Sequence, residues 1–279
     1  MKRFASVLLV RSYAAAVLAL ALGLALADPA LAANAPATGA PKTSAVPAAA
    51  APSTALTVEQ IVEKHMAARG GLKKIRAIQT LRETGRMTEG PDKQALVTRE
   101  LKRPAQSRFE ITLQGVTGVF VSDGTKGWKL NPFDGDFEPK PLPEEAVREA
   151  AEQADIEGPL VDWKAKGHSI ALAGRESING RDAYKIQVTL KSGGTRTEYI
   201  DAKTFLRVRV DSTRTVKGHP VQVTATFGDY KKSAGVAFPR QVEISASGRP
   251  QKMRVVVDKI EVNPPLAADR FAMVDLSKP

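Results

Sequence analysis

Between residues 78 and 262, apolar side chains repeatedly fall on every second position. This period of two constrains the fold more than any other feature of the chain. Tyr184, Ile186, Val188 and Leu190 alternate with Lys185, Gln187, Thr189 and Lys191. Leu206, Val208 and Val210 oppose Arg207, Arg209 and Asp211; Val221, Val223, Ala225 and Phe227 oppose Gln222, Thr224 and Thr226. Phe109, Ile111 and Leu113 oppose Arg108, Glu110 and Thr112. Successive side chains of a strand point to opposite faces, so each run predicts a strand with one apolar and one polar side. Runs of this kind are expected at 78–88, 94–102, 107–114, 118–122, 127–130, 169–172, 183–191, 195–201, 206–215, 221–230, 240–247 and 253–262. Asp123-Gly124, Gly193-Gly194, Lys217-Gly218 and Ser247-Gly248 supply turns between several of them. Consecutive amphipathic strands form an antiparallel sheet that is solvated on one side. Its apolar face has to be covered. The expected class is mainly β (α+β), an unclosed antiparallel barrel with an N-terminal helix and a helical lid.

The helical period occurs in two places. Residues 57–71, TVEQIVEKHMAARGG, begin with Thr57 as N-cap and Gln60 three positions on, a capping-box pairing. Val58, Ile61, Val62, His65 and Met66 share one face, Gly70 and Gly71 end the helix, and a short helical turn is expected at 72–76. The second place lies midway through the strands. Residues 143–154, PEEAVREAAEQA, place Pro143 at the first helical position and Glu144 and Glu145 in the first turn. Their buried face would be Ala146, Val147, Ala150, Ala151 and Ala154. A second lid helix is expected from Gly158-Pro159 to Gly167, with Leu160 and Trp163 facing inward.

The N-terminus reads as an address. Lys2, Arg3 and Arg11 precede the apolar run 14–27, and Ala30-Leu31-Ala32 follows as an A-x-A site. That is the pattern of a secretory signal peptide (residues 1–32), with cleavage after Ala32. The run is shorter than the roughly 20 residues that span a bilayer. Residues 33–56 are rich in Ala, Pro, Ser and Thr and read as a flexible tether. The folded domain is expected over 57–279. The protein is expected to be exported to the periplasm and monomeric.

Several chemistries are excluded. The chain has no cysteine, so disulfides, thiolate metal sites and a Cys nucleophile are ruled out. It has three histidines (His65, His168 and His219) and no nucleophile elbow, zinc-protease motif, phosphate loop or dinucleotide fingerprint. Asp134, Asp136 and Glu138 resemble a fragment of a calcium loop, but Pro139 and Pro141 break the pattern. His65 reads as a hydrogen-bonded packing residue. No cofactor, no metal and no enzymatic activity are expected.

The formal charge is +11. Cleavage at Ala32 would remove three basic residues and one acidic residue, leaving +9. Arg99, Lys102, Arg103, Arg108, Arg207, Arg209 and Arg214 fall on strand positions expected to face solvent. They are not clustered with aromatics as in single-strand nucleic-acid binders. Export also argues against nucleic acid, so an anionic membrane surface is the better candidate partner.

A resemblance adds to this reading. The blocks HMAARGGLKKIRAIQTLRETGRM, GWKLNPF, GRESINGRDAYKIQVTL, TRTEYIDAKTFLRVRV, FGDYKKSAGVAFPRQVEI and IEVNPPLAADRFAM resemble the LolA-like group of outer-membrane lipoprotein-sorting proteins, from about Val58 to Met273. The resemblance implies an unclosed barrel whose concave apolar face, under helices, holds acyl chains in transit across the periplasm. No functional arginine of the family can be matched to one position here, and the chain lacks the Cys of a lipid-anchored receptor.

The function expected is therefore a periplasmic carrier or binding protein for a lipid, lipoprotein acyl chain or similar hydrophobic ligand. Inner- or outer-membrane proteins would be donor and acceptor. The alternative is a non-enzymatic envelope sensor or scaffold of the same fold. Candidate cavity residues are Phe109, Ile111, Leu113, Ile186, Val188, Val208, Val223, Phe227 and Ile244. Candidate lid residues are Ala146, Val147, Ala150, Leu160 and Trp163. Periodicity does not separate cavity from core. An apolar cavity of several hundred cubic ångströms would favour the carrier, and a solidly filled sheet would oppose it.

Overall fold

The computed structural model describes residues 56–90, 94–216 and 219–274. The expected signal peptide, and the tether up to residue 55, lie outside the described residues. Helices α1 (Val58–Ala68) and α2 (Leu72–Arg76) precede six strands: β1 (Thr80–Glu89), β2 (Gln94–Lys102), β3 (Gln106–Leu113), β4 (Val116–Ser122), β5 (Gly127–Asn131) and β6 (Asp136–Pro141). Helix α3 (Glu144–Ala154) follows. Seven further strands complete the chain: β7 (Ser169–Ile178), β8 (Arg181–Thr189), β9 (Thr195–Asp201), β10 (Arg207–Val216), β11 (His219–Ser233), β12 (Val236–Ala246) and β13 (Met253–Val262). A short 3-10 turn at Ala268–Phe271 ends the described fold.

These strands form one antiparallel sheet in the order β6-β5-β4-β3-β2-β1-β13-β12-β11-β10-β9-β8-β7. The chain steps outward from β1 to β6, crosses through α3 to the opposite edge at β7, then steps inward to β13, which pairs with β1. The edges β6 and β7 do not pair with each other, so the barrel is unclosed. The mainly β class and the antiparallel sheet agree with the sequence reading. The sequence patterning missed β6, because Pro139 and Pro141 argue against a strand. As an edge strand, β6 pairs only with β5 and tolerates residues that donate no ladder hydrogen bond.

Helix α1 starts as its sequence predicts. Thr57 accepts from the Gln60 backbone N–H (3.3 Å), and the Gln60 side chain accepts from Thr57 N–H (2.9 Å). At its other end Gly70 has a positive φ of 118° and packs against the β11–β12 turn, where an added Cβ would lie 2.2 Å from Gly235 O. The Ala237 N–H donates to Arg69 O (2.8 Å) beside it. Arg69 is thereby tied to the sheet.

Three apolar clusters cover the inner face. Under α3, Ala146, Val147 and Ala150 pack with Ile111, Leu113, Phe120 and Val223. Under α2 and the segment after α3, Ile75, Ile78, Ile156 and Val161 pack with Leu81, Leu101, Phe238 and Ile260. Under α1, Ile61 and Leu160 pack with Tyr184, Ile186, Val188 and Ile200.

Helix α3 begins one residue later than expected, with Pro143 as its N-cap. The second lid helix is not formed. Residues 159–167 make a succession of turns, because Asp162 adopts a left-handed φ of 49° that interrupts the helical path. Among the described residues, no helix is long and apolar enough to cross a membrane.

Candidate ligand cavity

Between the clusters lies a cavity of about 400 Å³. Its apolar wall combines Val97, Phe109 and Phe120 from one half of the sheet with Ala225, Phe227, Val242, Ile244 and Val255 from the other. Leu142, Ala150 and Ile156 close it from the side of α3. One ion pair sits within this wall, Arg99 Nε with Glu83 Oε2 at 2.7 Å.

The end of the cavity below α1 is polar. It is lined by His65 and Arg69 of α1, Arg196 of β9, Arg207 of β10 and Tyr230 of β11. Arg207 is there because of a bulge: Arg207 stands opposite Ile200 but Arg209 stands opposite Tyr199, so the register shifts between them. A bulge re-aims side chains. Arg207 therefore turns inward and Val208 outward, where Val208 packs against Ile178, Ala183 and Tyr199. This reverses the assignment expected from the alternation. The Arg207 guanidinium lies 5.6 Å from the centre of the Phe227 ring, at the junction of the polar end and the apolar wall.

Glu198, fully buried, is the carboxylate paired with these arginines, and Glu152 and Asp155 are also on the cavity lining. Arg207 Nε lies 2.7 Å from its Oε2 and Arg196 Nε 3.2 Å from its Oε1. The N–H directions miss the oxygens, so these are ion pairs without aligned hydrogen bonds. Arg69 donates to the carbonyls of Glu157 (2.6 Å) and Ile156 (3.1 Å) and has no carboxylate within 4.0 Å among the described residues. Burial, with Arg207 adding to it and Tyr230, Asp155 and Glu198 opposing, lowers its pKa to about 10. Burial likewise lowers Arg196.

His65 donates from Nδ1 to the Phe205 carbonyl (2.7 Å). Burial, with Arg207 and Arg69 adding to it, pulls its pKa down to about 3, so the ring is neutral at pH 7. Tyr230 donates to the Arg207 carbonyl (2.8 Å) and is pushed up to about 12 by burial. A neutral imidazole, an un-ionised phenol and three guanidiniums can bind charge, but they do not form a nucleophile–base pair.

The expected site residues are distributed unevenly. Phe109, Phe227, Ile244 and Ala150 line the cavity. Ile111, Leu113, Val223, Ala146 and Val147 lie in the adjoining core under α3. Ile186, Val188 and Leu160 pack under α1, away from the cavity wall. Trp163 is half-buried in the turn segment, with the Lys164 ammonium 4.8 Å from its ring centre. Sequence reasoning missed Arg69, Phe120, Arg196, Glu198 and Tyr230.

The basic residues also depart from expectation. Arg99 and Arg207 point into the cavity, Arg214 pairs with Glu149 of α3 (3.4 Å), and Arg103 reaches Glu157 (3.1 Å). Arg108 pairs with Glu110 (2.6 Å) and Arg209 with Asp211 (2.7 Å). The calcium-like loop is internally bonded: Asn131 donates to Asp134 (2.5 Å) and Lys140 to Asp136.

The architecture is thus an unclosed antiparallel barrel with a largely apolar cavity of about 400 Å³ under its helices. No family model and no curated protein matches this chain. Solved structures do. A LolA superfamily protein from Nitrosomonas europaea aligns at 14% identity, over 78% of this chain and 99% of that one, with a TM-score of 0.53. A DUF1329 family protein from Desulfovibrio piger aligns at 13% identity, over 77% and 97%, with a TM-score of 0.51. An outer membrane lipoprotein-sorting protein domain from Vibrio parahaemolyticus aligns at 14% identity, over 77% and 95%, with a TM-score of 0.50. At these identities the likeness is one of fold, and the fold is LolA-like.

Proposed function

We propose that this protein is an exported carrier or binding protein for a hydrophobic ligand with an acyl chain, acting in the periplasm. The observation that supports it is the cavity itself. At about 400 Å³ it lies within the range of small-molecule sites, about 300–1,000 Å³. Aromatic and aliphatic side chains from both halves of the sheet form most of its wall. Enclosing an alkyl chain there would remove its surface from water at about 25 cal/mol per Å².

Release would use α3. Its buried face is Ala146, Val147, Ala150 and Ala154, so it holds the sheet through little apolar area. Its polar contacts to the far half of the sheet include Glu149 with Arg214 and Glu152 with Ser192 (2.8 Å). A ligand that replaces the Ala contacts can compete with the helix, and transfer then follows differential affinity for the acceptor.

Native mass spectrometry of the protein purified from the periplasm tests the reading. A bound species with the mass of a fatty-acyl lipid is expected. Protein that carries no lipid and takes up no fatty acid when offered one would contradict it.

A further inference from the structure

The polar end of the cavity sets three guanidiniums against one directly paired carboxylate, Glu198, with Glu152 and Asp155 also on its lining. Arg69, Arg196 and Arg207 converge there, and Glu198 is the one carboxylate within 4.0 Å of any of them among the described residues. Of the other two acids, Asp155 pairs with Lys166 at 2.6 Å, while Glu152 accepts from the neutral Ser192 hydroxyl and attracts Arg196 from beyond contact distance. Unpaired buried charge is costly unless something neutralises it. The Nε atoms of Arg196 and Arg207 are buried without a hydrogen-bond acceptor. Arg69 uses two carbonyls as acceptors and keeps further N–H groups free, since a guanidinium has five. Arg196 and Arg207 retain 20% and 24% side-chain accessibility, and both line the cavity.

The site is also shaped. Gly158 approaches Arg207, and a Cβ there would lie 3.3 Å from Nη2. Phe227 meets the guanidinium on its apolar side. A ligand lying along the wall from Phe120 and Ile244 past Phe227 would bring its end to the arginines.

We infer that the ligand is a single-chain amphiphile with a small anionic oxyacid head, its tail against the apolar wall and its head between Arg69, Arg196 and Arg207. This rests on the acyl-chain reading of the cavity and narrows it. A carboxylate or phosphate head would accept the unused N–H groups, and charge-assisted bonds of that kind are the strong ones. The volume, near the lower end of the range for small-molecule sites, suits one chain rather than several.

The test is calorimetric titration of the protein with palmitate and with hexadecanol, which share a chain and differ in the head. The expected result is palmitate binding about tenfold or more tighter, the ratio falling towards one in Arg207→Gln. Equal affinity for the two in the wild type overturns the head-group inference and leaves the acyl-chain reading intact. Failure of both to bind overturns the acyl-chain reading itself. Sodium acetate and inorganic phosphate form the third arm: if either alone binds as tightly as palmitate, the site serves a free anion and the amphiphile inference falls. Should Arg207→Gln not fold, Arg196→Gln replaces it, and the wild-type comparison stands without either.

Discussion

Glu198 and Arg207 meet inside the barrel, Oε2 to Nε at 2.7 Å, although the alternation of β10 assigns Arg207 to the outside. The pair is asymmetric, because Glu198 also faces Arg196. Removing Glu198 leaves two guanidiniums opposed in a region of low dielectric. Removing Arg207 leaves Glu198 still paired. Glu198→Gln is therefore expected to cost roughly 3 kcal/mol or more, and Arg207→Gln distinctly less. Urea denaturation checks the order, and the reverse order would show that Arg196 does not share the carboxylate.

Stability should fall as acid is added, through His65. Its folded pKa of about 3 lies below the ordinary 6.5, so between these values the unfolded chain binds the proton and the folded one does not. The histidine's contribution is therefore complete above pH 6.5 and is lost as pH falls towards 3, with a total of a few kcal/mol. His168, also lowered by burial, acts in the same direction. Replacing His65 with Asn, whose amide can still donate to Phe205 O, should flatten the urea midpoint between pH 7 and 5. An unchanged slope would assign the effect to other groups.

Gly70 fixes Arg69 and the end of α1 against the β11–β12 turn. Gly70→Ala forces a Cβ into Gly235 O and a non-glycine residue to a φ of 118°. A loss of about 2 kcal/mol or more is expected from strain of this kind. A melting curve like that of the wild type would mean that the close approach is absent in solution.

The sequence makes Trp163 an inward-facing candidate lid residue. In the structure it lies half-buried on the turn segment and is absent from the cavity wall. The substitution should cost about 1 kcal/mol of stability. It should leave fatty-acid affinity within about twofold. A selective loss of affinity would instead bring the turn segment into the binding site.

Elements with a strong period were legible in the sequence. The capping box of α1, the strands over 94–102, 195–201 and 253–262, and the Ala face of α3 stand where patterning puts them. What escaped had physical reasons. Two prolines hid β6, which exists because it is an edge. Asp162, in a left-handed conformation, broke the helix expected after Gly158. The bulge in β10 exchanged the faces of Arg207 and Val208, and no residue of L-R-V-R-V announces it. The strand T-R-T-E-Y-I-D buries Glu198 and Tyr199 on opposite faces, so no alternation marked Arg196 and Glu198 as neighbours of the cavity.

The central claim is that the cavity encloses an acyl chain, and it is tested most directly by filling it. Ala225, paired with Ile244 across β11 and β12, lines the wall, and Ala225→Leu places the added carbons in space a ligand would occupy. Titration with dansyl-labelled undecanoic acid should show saturable one-to-one binding to the wild type and about tenfold weaker binding to the variant, with both proteins folded. Equal affinity for the two proteins, or no saturable binding to the wild type, would contradict the account.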